Sequence, residues 1–503
     1  MNFGLIIYIL GQIIRAVGVL MVIPVGCALW YREDTVWALL IPMLTMILLG
    51  TLCCLRRPAK GDGMAAKDGL VTVGLSWIVL SLFGMLPFMI SGDLKSPVDA
   101  FFETVSGFTT TGATVLGAPL GIYPEDLDRG ISLWRAFTHW IGGMGVLVFV
   151  MAFMPRQDFK GTRLMHAMRA EVPGPVATKV VPTLRHSARI MYGIYIVMTV
   201  AEVILLLFGG MSFYDALLHT FSTAGTGGFS NMNASVGAFD SSYIHWVITI
   251  FMLLFSINFN LYYLIITGHV LQALRSEELR YYLLLVAGAV AAITVNIASM
   301  YDSTLIALRD AAFQVISITS TTGFTTAYYD TWPALSQGIL LLLMFVGSCA
   351  GSTGGGLKVG RLIIWIRSSL RELRTLLSPR QTRPVRSEGR PVDEDTVRAT
   401  GAYVTLYFLI LVASAVVLLL LGLDMTSAFT GVITCLNNVG PAYGELFGAS
   451  GLASFGSVHP IGKLVLALNM LIGRLEIFPI LILFIPVSAE RVRRRIRRSP
   501  DTL

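Results

Sequence analysis

Four short groups of small residues recur along the chain, and each follows an apolar stretch that is too short to cross a membrane. These four triplets are Thr110-Thr111-Gly112, Thr226-Gly227-Gly228, Thr321-Thr322-Gly323 and Asn438-Val439-Gly440. Short side chains and glycine allow backbone carbonyls to turn inward, because glycine adopts backbone angles that are closed to other residues. A ring of such carbonyls can replace the hydration shell of a dehydrated alkali cation. The triplets contain no carboxylate, which argues against a site for a divalent cation.

The elements that position the triplets are expected to lie in a membrane. Of the 503 residues, 55% are hydrophobic and only 13% are charged, whereas a soluble domain carries roughly 25% charged residues. This composition argues against a soluble enzyme or a nucleic-acid-binding protein. Apolar runs long enough to cross about 30 Å of hydrocarbon occur near residues 3–31, 35–55, 68–90, 131–154, 188–210, 242–268, 281–300, 335–366, 398–422 and 461–487. The sequence therefore predicts an all-α polytopic membrane protein with ten transmembrane helices.

The apolar stretches before the triplets have lengths that suit re-entrant helices. They lie near residues 97–110, 213–226, 305–321 and 426–438. When the last glycine of each triplet is aligned, the alignment places an alanine twelve positions earlier in all four copies. The pattern predicts four pseudo-repeats of helix, re-entrant pore helix, filter loop and helix around one central pore.

The residues thirteen positions before the aligned glycines are polar in every copy, and we expect them to be the N-caps of the short helices. They are Asp99, Asp215, Asp310 and Ser427. The organisation along the chain is then two leading transmembrane helices (1–60), pore repeat 1 (61–155), pore repeat 2 (156–269), pore repeat 3 with a broken inner helix (270–366), a basic cytoplasmic linker (367–396), pore repeat 4 (397–487) and a basic cytoplasmic tail (488–503).

The placement of lysine and arginine predicts the orientation. If the triplets face the outside, the outer segments hold five of the 37 basic residues, the inner segments hold 29, and three lie within spans. Basic loops are retained on the cytoplasmic side, so both termini are expected to be cytoplasmic. The net charge of +7 is then explained by topology and needs no nucleic-acid partner.

Re-entrant helices that enter from the outside point their partially negative C-terminal ends toward the membrane centre. Irregular backbone at that depth must line water or be buried in protein. Four such ends around one axis would attract a cation and disfavour an anion.

A second glycine-rich segment interrupts the long apolar run at 335–366. The stretch from Gly347 to Gly356 cannot hold a stable helix, because each glycine costs roughly 1 kcal/mol against alanine. A broken helix near the midplane suits a hinge or an obstruction, although the glycines could instead serve close helix packing. A phosphate-binding loop is disfavoured, because Lys358 follows Leu357 instead of a glycine and no strand precedes the run.

Arg474 lies in the middle of the last apolar run. A central arginine costs about 2.5–3.5 kcal/mol on insertion scales, so it is expected to face either an aqueous path or an acidic partner such as Glu476. A structural ion pair away from that path is the alternative.

Other polar residues within the apolar runs have less specific patterns. Glu103 and His219 occupy the same column of the repeat, where supporting hydrogen bonds are expected before ion contact. Arg135 and His139 lie four residues apart on one helix face and either brace the first triplet or form a structural pair.

Several further motifs, taken in order with the triplets, resemble one known family. They are Thr109 to Thr114, Gly227-Gly228-Phe229-Ser230, Thr321 to Phe324, Asn437 to Pro441, Trp140 to Gly145, Gly351 to Lys358 and Gly473-Arg474-Leu475-Glu476. Across nearly its whole length the chain resembles the Trk/Ktr/HKT potassium-transporter superfamily, and within it the Trk-type membrane subunit of bacteria.

The resemblance implies one pore per chain and potassium uptake across the bacterial inner membrane. It implies potassium binding at all twelve residues of the triplets, with potassium as the transported ion and no covalent cofactor. It implies that an intramembrane loop blocks the inner vestibule until it moves, with Arg474 just beneath the filter. The gate residues are then Gly351, Ser352, Thr353, Gly354, Gly355, Gly356, Lys358 and Arg474. Because the triplets are unequal and lack the strict potassium-channel sequence, we expect weaker sodium rejection than in a symmetric channel.

The resemblance also implies a homodimer on a cytosolic, TrkA-like regulatory subunit that binds a nicotinamide dinucleotide or ATP. The basic inner loops and the tail Arg491–Arg498 would be the docking surface, within a lipid bilayer. A proton- or sodium-coupled potassium symporter of the same architecture is an alternative, although few carboxylates lie near the axis to act as relays. A membrane-embedded enzyme is a remote alternative, because the spans lack a clustered His, Asp and Glu constellation.

Overall fold

The computed structural model describes residues 2–55, 66–145, 184–378, 384–444 and 454–484, and these residues are mainly helical. The first half contains α1 (Phe3–Leu20), α2 (Val22–Tyr31), α3 (Val36–Cys54), α4 (Ala66–Gly84), α5 (Leu86–Ser91), α6 (Pro97–Phe108), α7 (Arg129–Gly143), α8 (Leu184–Phe208), α9 (Phe213–Gly225) and α10 (Ser242–Phe255). The second half contains α11 (Phe259–Ile266), α12 (Val270–Leu274), α13 (Glu277–Ile297), α14 (Thr304–Thr319), α15 (Ala334–Val346), α16 (Val359–Leu377), α17 (Glu394–Leu420), α18 (Met425–Asn437), α19 (Pro460–Arg474) and α20 (Phe478–Leu481). A hairpin of β1 (Arg386–Ser387) and β2 (Arg390–Pro391) precedes α17.

Within the described part of the chain, six helical stretches are long and apolar enough to cross a membrane. They are Phe3–Tyr31, Val36–Cys54, Lys67–Ser91, Ala188–Phe208, Glu277–Met300 and Glu394–Leu420. A seventh is reached if α10 and α11, which meet at a bend of 92°, are one span. The remaining predicted spans do not form single long helices: α7 and α19 end at Gly143 and Arg474, and the run at 335–366 is divided between α15 and α16.

The four short helices before the triplets are α6, α9, α14 and α18, but their N-caps are not the predicted residues. The capping side chains belong to Ser96, Ser212, Ser303 and Asp424. The prediction was wrong because Asp99, Asp215 and Ser427 lie one turn inside the helices, where their backbone N–H groups donate to those caps. Asp310 lies deeper still, because α14 begins at Thr304.

Packing around the short helices follows one order. Each of them contacts the long helix that precedes it, in the pairs α4–α6, α8–α9, α13–α14 and α17–α18. Each also contacts the helix that follows the previous triplet, in the pairs α7–α9, α10–α14, α15–α18 and α19–α6. The last pair joins the helix after the fourth triplet to the first short helix, so the four short helices lie within a closed ring of helix contacts.

Candidate functional site

The four triplets share one backbone conformation. The first residue of each triplet has a left-handed φ: 55° at Thr110, 55° at Thr226, 60° at Thr321 and 55° at Asn438. The last residue is a glycine with φ of 78°, 78°, 81° and 104° in the same order. A left-handed φ costs a residue with a side chain about 1–2 kcal/mol, and such strain persists only where the surrounding structure imposes it. The repetition therefore indicates that all four segments are held in one required shape.

The triplets also touch one another in sequence order. A Cβ atom added at Gly112 would overlap the carbonyl oxygen of Gly227, and one at Gly228 would overlap the carbonyl oxygen of Thr322. A Cβ at Gly323 would overlap the carbonyl oxygen of Val439, and one at Gly440 would lie 2.7 Å from the carbonyl oxygen of Thr111. The contacts run from the first triplet to the second, third and fourth and then back to the first. Glycine is required at these positions because a neighbouring carbonyl fills the space of a side chain.

The fourth triplet is joined to the first by a side chain. The amide of Asn438 donates to Thr111 Oγ1 at 2.9 Å and to the carbonyl oxygen of Met470 at 3.0 Å. The equivalent residues of the other triplets are threonines: Thr226 Oγ1 donates to the carbonyl oxygen of Gly225 at 2.6 Å, and Thr321 Oγ1 accepts from Gly355 N–H at 2.7 Å. Asparagine in this triplet therefore breaks the symmetry of the arrangement while it closes the circuit.

Buried polar side chains support the triplets from outside the circuit. The carboxylate of Glu103 accepts from Arg135 Nε at 2.6 Å and from the backbone N–H of Val115 at 2.9 Å. Arg135 also donates to the carbonyl oxygen of Ser230 at 3.0 Å, and His219 Nε2 lies 3.0 Å from Ser230 Oγ. Glu103 and His219 thus form hydrogen bonds, as the sequence predicted. Arg135 pairs with Glu103 and not with His139, whose ring stacks on Phe229 at 4.1 Å.

The glycine-rich loop, residues 347–358, separates α15 from α16 and lies directly against two of the triplets. Gly355 N–H donates to Thr321 Oγ1 at 2.7 Å, and Gly356 N–H donates to the carbonyl oxygen of Asn437 at 3.1 Å. A Cβ at Gly354 would lie 2.7 Å from the carbonyl oxygen of Ser320. The glycines therefore serve close approach to the backbone beneath the third and fourth triplets.

The same loop fills the bend between α10 and α11. Cys349 N–H donates to the carbonyl oxygen of Ser256 at 3.1 Å, and Thr353 Oγ1 donates to that of Phe255 at 3.1 Å. In the opposite direction, Phe259 N–H donates to the carbonyl oxygen of Gly351 at 3.0 Å. The backbone groups exposed by the bend are thereby satisfied by the loop and not by a continuous helix.

Arg474 is bound to carbonyl oxygens of two distant segments. Its guanidinium donates to Thr353 O, Gly142 O and Gly143 O, each at 2.6 Å. Glu476, which sequence reasoning offered as a partner, instead pairs with Arg361 of α16 at 2.5 Å. Arg474 thus links the end of α19 to the end of α7 and to the glycine-rich loop.

Lys358 closes the loop and has a left-handed φ of 72°. Its ammonium donates to the carbonyl oxygen of Gly354 within the same loop. This contact and the Arg474 contact bring all eight predicted gate residues into one small region below the triplets.

Sequence reasoning missed Glu278 of α13, whose carboxylate accepts from Ala350 N–H and Gly360 N–H, both at 2.8 Å. The sequence signal at this position, serine followed by two glutamates, is that of an ordinary helix N-terminus, so it does not point to the loop. Among the described residues, no group of three or more His, Cys, Asp or Glu side chains is arranged to hold a metal ion. The tail Arg491–Arg498 and the basic residues between 156 and 179 lie outside the described residues.

These features define a polytopic helical membrane protein in which half-length helices and irregular glycine-containing backbone meet inside the bundle. The family model of TrkH, described as a cation transport protein, matches residues 38–491. The chain belongs to this family.

Named relatives extend the similarity to almost the whole chain. The Trk system potassium uptake protein TrkH of Salmonella typhimurium is 36% identical over 492 residues, which cover 97% of this chain and 99% of the relative. The Trk system potassium uptake protein TrkG of Escherichia coli is 32% identical over 466 residues, covering 92% and 93%. The crystal structure of the potassium transporter TrkH from Vibrio parahaemolyticus matches with a TM-score of 0.84 and 33% identity, covering 97% of this chain and 99% of that one.

Proposed function

We propose that this chain carries potassium into the cell across the bacterial inner membrane, through a filter formed by the four triplets. The observation that carries the proposal is the closed circuit of contacts from Gly112 through Gly228 and Gly323 to Gly440. Backbone that meets in this way inside a membrane must line an aqueous path or be buried in protein. The relatives are named for potassium uptake, which agrees with a dehydrating site made of carbonyl oxygens.

The selectivity of this site follows from its donors. The C-terminal ends of α6, α9, α14 and α18 precede the triplets, and four partially negative helix ends favour a cation. Carbonyl oxygens replace the water around a monovalent ion without the charge that a divalent ion requires. Since the fourth triplet has asparagine where the others have threonine, the site is not fourfold symmetric, and partial sodium permeation is expected.

The proposed architecture has ten spans, two leading ones and two in each of the four repeats, with an interruption in the second helix of each repeat. The helices α7, α10, α15 and α19 end at Gly143, Phe255, Val346 and Arg474. Counting these four with six long apolar stretches gives the ten predicted spans. The excess of basic residues on the side opposite the triplets supports cytoplasmic termini.

The glycine-rich loop and Arg474 form the proposed gate. The loop lies under the third and fourth triplets through Gly355 and Gly356, and Arg474 is bonded to its Thr353. An ion that leaves the triplets inward would meet this loop and a fixed positive charge. Uptake therefore requires that the loop move and that the bonds of Arg474 to Thr353, Gly142 and Gly143 change.

The membrane potential is sufficient to drive the transport. At roughly 150 mV it supplies about 3.5 kcal/mol per charge, which corresponds to several-hundred-fold accumulation. A proton- or sodium-coupled symporter would need carboxylates on the path, and Glu103 is instead engaged with Arg135 and Val115. We therefore favour passive flux. The similarity to Trk system proteins further leads us to propose a homodimer that is regulated by a cytosolic nucleotide-binding subunit.

The test is cation flux in proteoliposomes that contain the purified protein. We expect potassium and rubidium to enter readily, sodium to enter more slowly, and lithium to be excluded. In a second assay, the protein is expected to restore growth of a potassium-uptake-deficient strain. Equal fluxes of potassium, rubidium, sodium and lithium would contradict a dehydrating carbonyl filter. A potassium reversal potential that depends on pH would favour the coupled symporter instead.

A further inference from the structure

One carboxylate holds both ends of the glycine-rich loop. Glu278 Oε1 accepts from the backbone N–H of Ala350, which lies near the start of the loop, and from that of Gly360, just after its end. Both distances are 2.8 Å, and a Cβ at Gly360 would also lie 2.8 Å from this oxygen. Glu278 therefore fixes the loop from the side, at a point that does not contact the triplets.

Glu278 lies in the first turn of α13, and a second carboxylate fixes that turn from outside the helical bundle. Glu388 accepts from Ser276 Oγ at 2.8 Å, from Glu277 N–H at 2.9 Å and from Glu278 N–H at 3.2 Å. In return, Glu388 N–H donates to the carboxylate of Glu277 at 3.0 Å. An acidic side chain at a helix N-terminus satisfies orphan N–H groups and interacts favourably with the helix dipole.

Glu388 is presented by the tight turn of the β1–β2 hairpin. Glu388 and Gly389 both have positive φ, 52° and 73°, which is the requirement of a type I′ turn. The left-handed conformation is unfavourable for glutamate, and its bonds to the end of α13 compensate for it. The exposed hairpin therefore binds, through Glu388, to the N-terminus of α13, the helix whose Glu278 contacts the glycine-rich loop.

The next turn of α13 reaches the loop by another route. Tyr282 OH lies 2.8 Å from Ser256 Oγ, and the carbonyl oxygen of Ser256 accepts from Cys349 N–H. A displacement of the first turns of α13 would thus act on the loop at Cys349 and Ala350 together.

We propose that Glu278 is a positioning residue that keeps the glycine-rich loop under the triplets. We further propose that the β1–β2 hairpin, through Glu388, stabilises these Glu278 contacts from the aqueous side. The proposal rests on the proposed function of that loop as a gate. A partner that pulls the hairpin away from Ser276 would loosen the first turn of α13 and release the loop, with no contact to the triplets.

The test compares three glutamate-to-glutamine variants in proteoliposomes without any cytosolic partner. Glu278→Gln replaces charge-assisted bonds to two backbone donors by neutral ones, which are roughly half as strong. We expect a rise in rubidium influx of about 5- to 30-fold, the factor for one to two kcal/mol. Glu388→Gln should raise influx less, and the double variant should not exceed Glu278→Gln alone, because both residues act on one contact.

Glu394→Gln is the matched control. Glu394 pairs with Arg371 of α16 at 2.5 Å, and α16 also contains Gly360. This variant therefore removes a carboxylate that is bound to α16, but at a position away from the glycine-rich loop. Its influx should equal that of the unmodified protein. Because the triplets are untouched, the potassium-to-sodium reversal potential should be the same in all variants.

The outcomes separate this inference from the proposed function. If the unmodified protein carries selective flux and Glu278→Gln behaves like Glu394→Gln, the positioning role is wrong while the potassium filter stands. If no protein carries selective flux, the proposed function itself fails. Should Glu278→Gln not fold, Glu388→Gln decides the case, since unchanged influx in that exposed variant would overturn the control by the hairpin.

Discussion

Replacement of Gly228 by alanine tests the closed circuit of triplets directly. Gly228 has a φ of 78°, and a Cβ at this position would overlap the carbonyl oxygen of Thr322 in the next triplet. The left-handed conformation alone costs alanine about 1–2 kcal/mol. The overlap adds to this cost, because both partners are backbone and one triplet must move away from the other.

The expected functional effect follows from that displacement. If the triplets form the proposed filter, a ring in which one carbonyl has moved no longer surrounds a dehydrated ion evenly, and sodium rejection should fall. If about 1–2 kcal/mol of discrimination is lost, the potassium-to-sodium permeability ratio should fall about 5- to 30-fold. The ratio is measured from bi-ionic reversal potentials with potassium on one side of the bilayer and sodium on the other.

A matched control separates the overlap from the backbone strain. Gly210 has a φ of 85°, and no described atom lies within 4 Å of its Cβ position. Gly210→Ala should therefore lower stability without a change in selectivity. Gly440→Ala, with a Cβ only 2.7 Å from Thr111 O, should have an intermediate effect. Equal permeability ratios for Gly228→Ala and Gly210→Ala would refute the reasoning that the triplets form one ring.

Three further predictions concern the gate, the supporting charges and the outer loops. Arg474→Gln removes the positive charge that binds the carbonyl oxygen of Thr353. Rubidium influx into proteoliposomes should rise about tenfold or more, which is the change expected for about 1.4 kcal/mol. Unchanged influx would mean that Arg474 has only a structural role. Glu103→Gln leaves Arg135 buried without its counter-charge, so thermal unfolding in detergent should show a loss of about 3–5 kcal/mol, whereas Glu103→Gln with Arg135→Met should recover part of it. Burial raises the pKa of Asp330 to about 6 from 3.8, so its contribution to stability falls as pH rises from about 4 to 6. The difference in unfolding temperature between Asp330→Asn and the unmodified protein should widen across that range and stay constant above it.

The positions of the triplets and of the helix break could be predicted because they depend on local chemistry. Glycine at the end of each triplet and the run from Gly347 to Gly356 both report a backbone that a helix or a bulky side chain cannot occupy. These signals are independent of the rest of the chain, so one sequence is sufficient to reveal them.

Features that depend on distant partners could not be predicted. The run at 242–268 reads as one apolar span, yet the chain bends by 92° after Phe255. Asn258 caps α11 through its side chain, and Phe259 N–H bonds to Gly351 O; these contacts stabilise a break that no glycine or proline marks. Tertiary contacts decide the outcome where the local sequence permits both states.

The partners of Arg474 illustrate the same limit at longer range. Glu476 is the nearest acidic residue in sequence, but it is bound by Arg361. The guanidinium instead binds carbonyl oxygens at Gly142 and Gly143, more than 300 residues earlier. Carbonyl groups exposed at the end of a helix are strong acceptors, and nothing in the sequence distinguishes which helix end will supply them.

The contacts of the glycine-rich loop explain why the proposed gate would open as a unit. The loop bonds to the third triplet at Thr321, to the fourth short helix at Asn437 and to the bend after α10 at Phe255. Arg474 extends this set to the end of α7 through Gly142. Every proposed repeat thus contributes at least one bond to the closed arrangement. Since these bonds share one short segment of backbone, breaking one weakens the others, and the loop is expected to have two discrete positions with few intermediates.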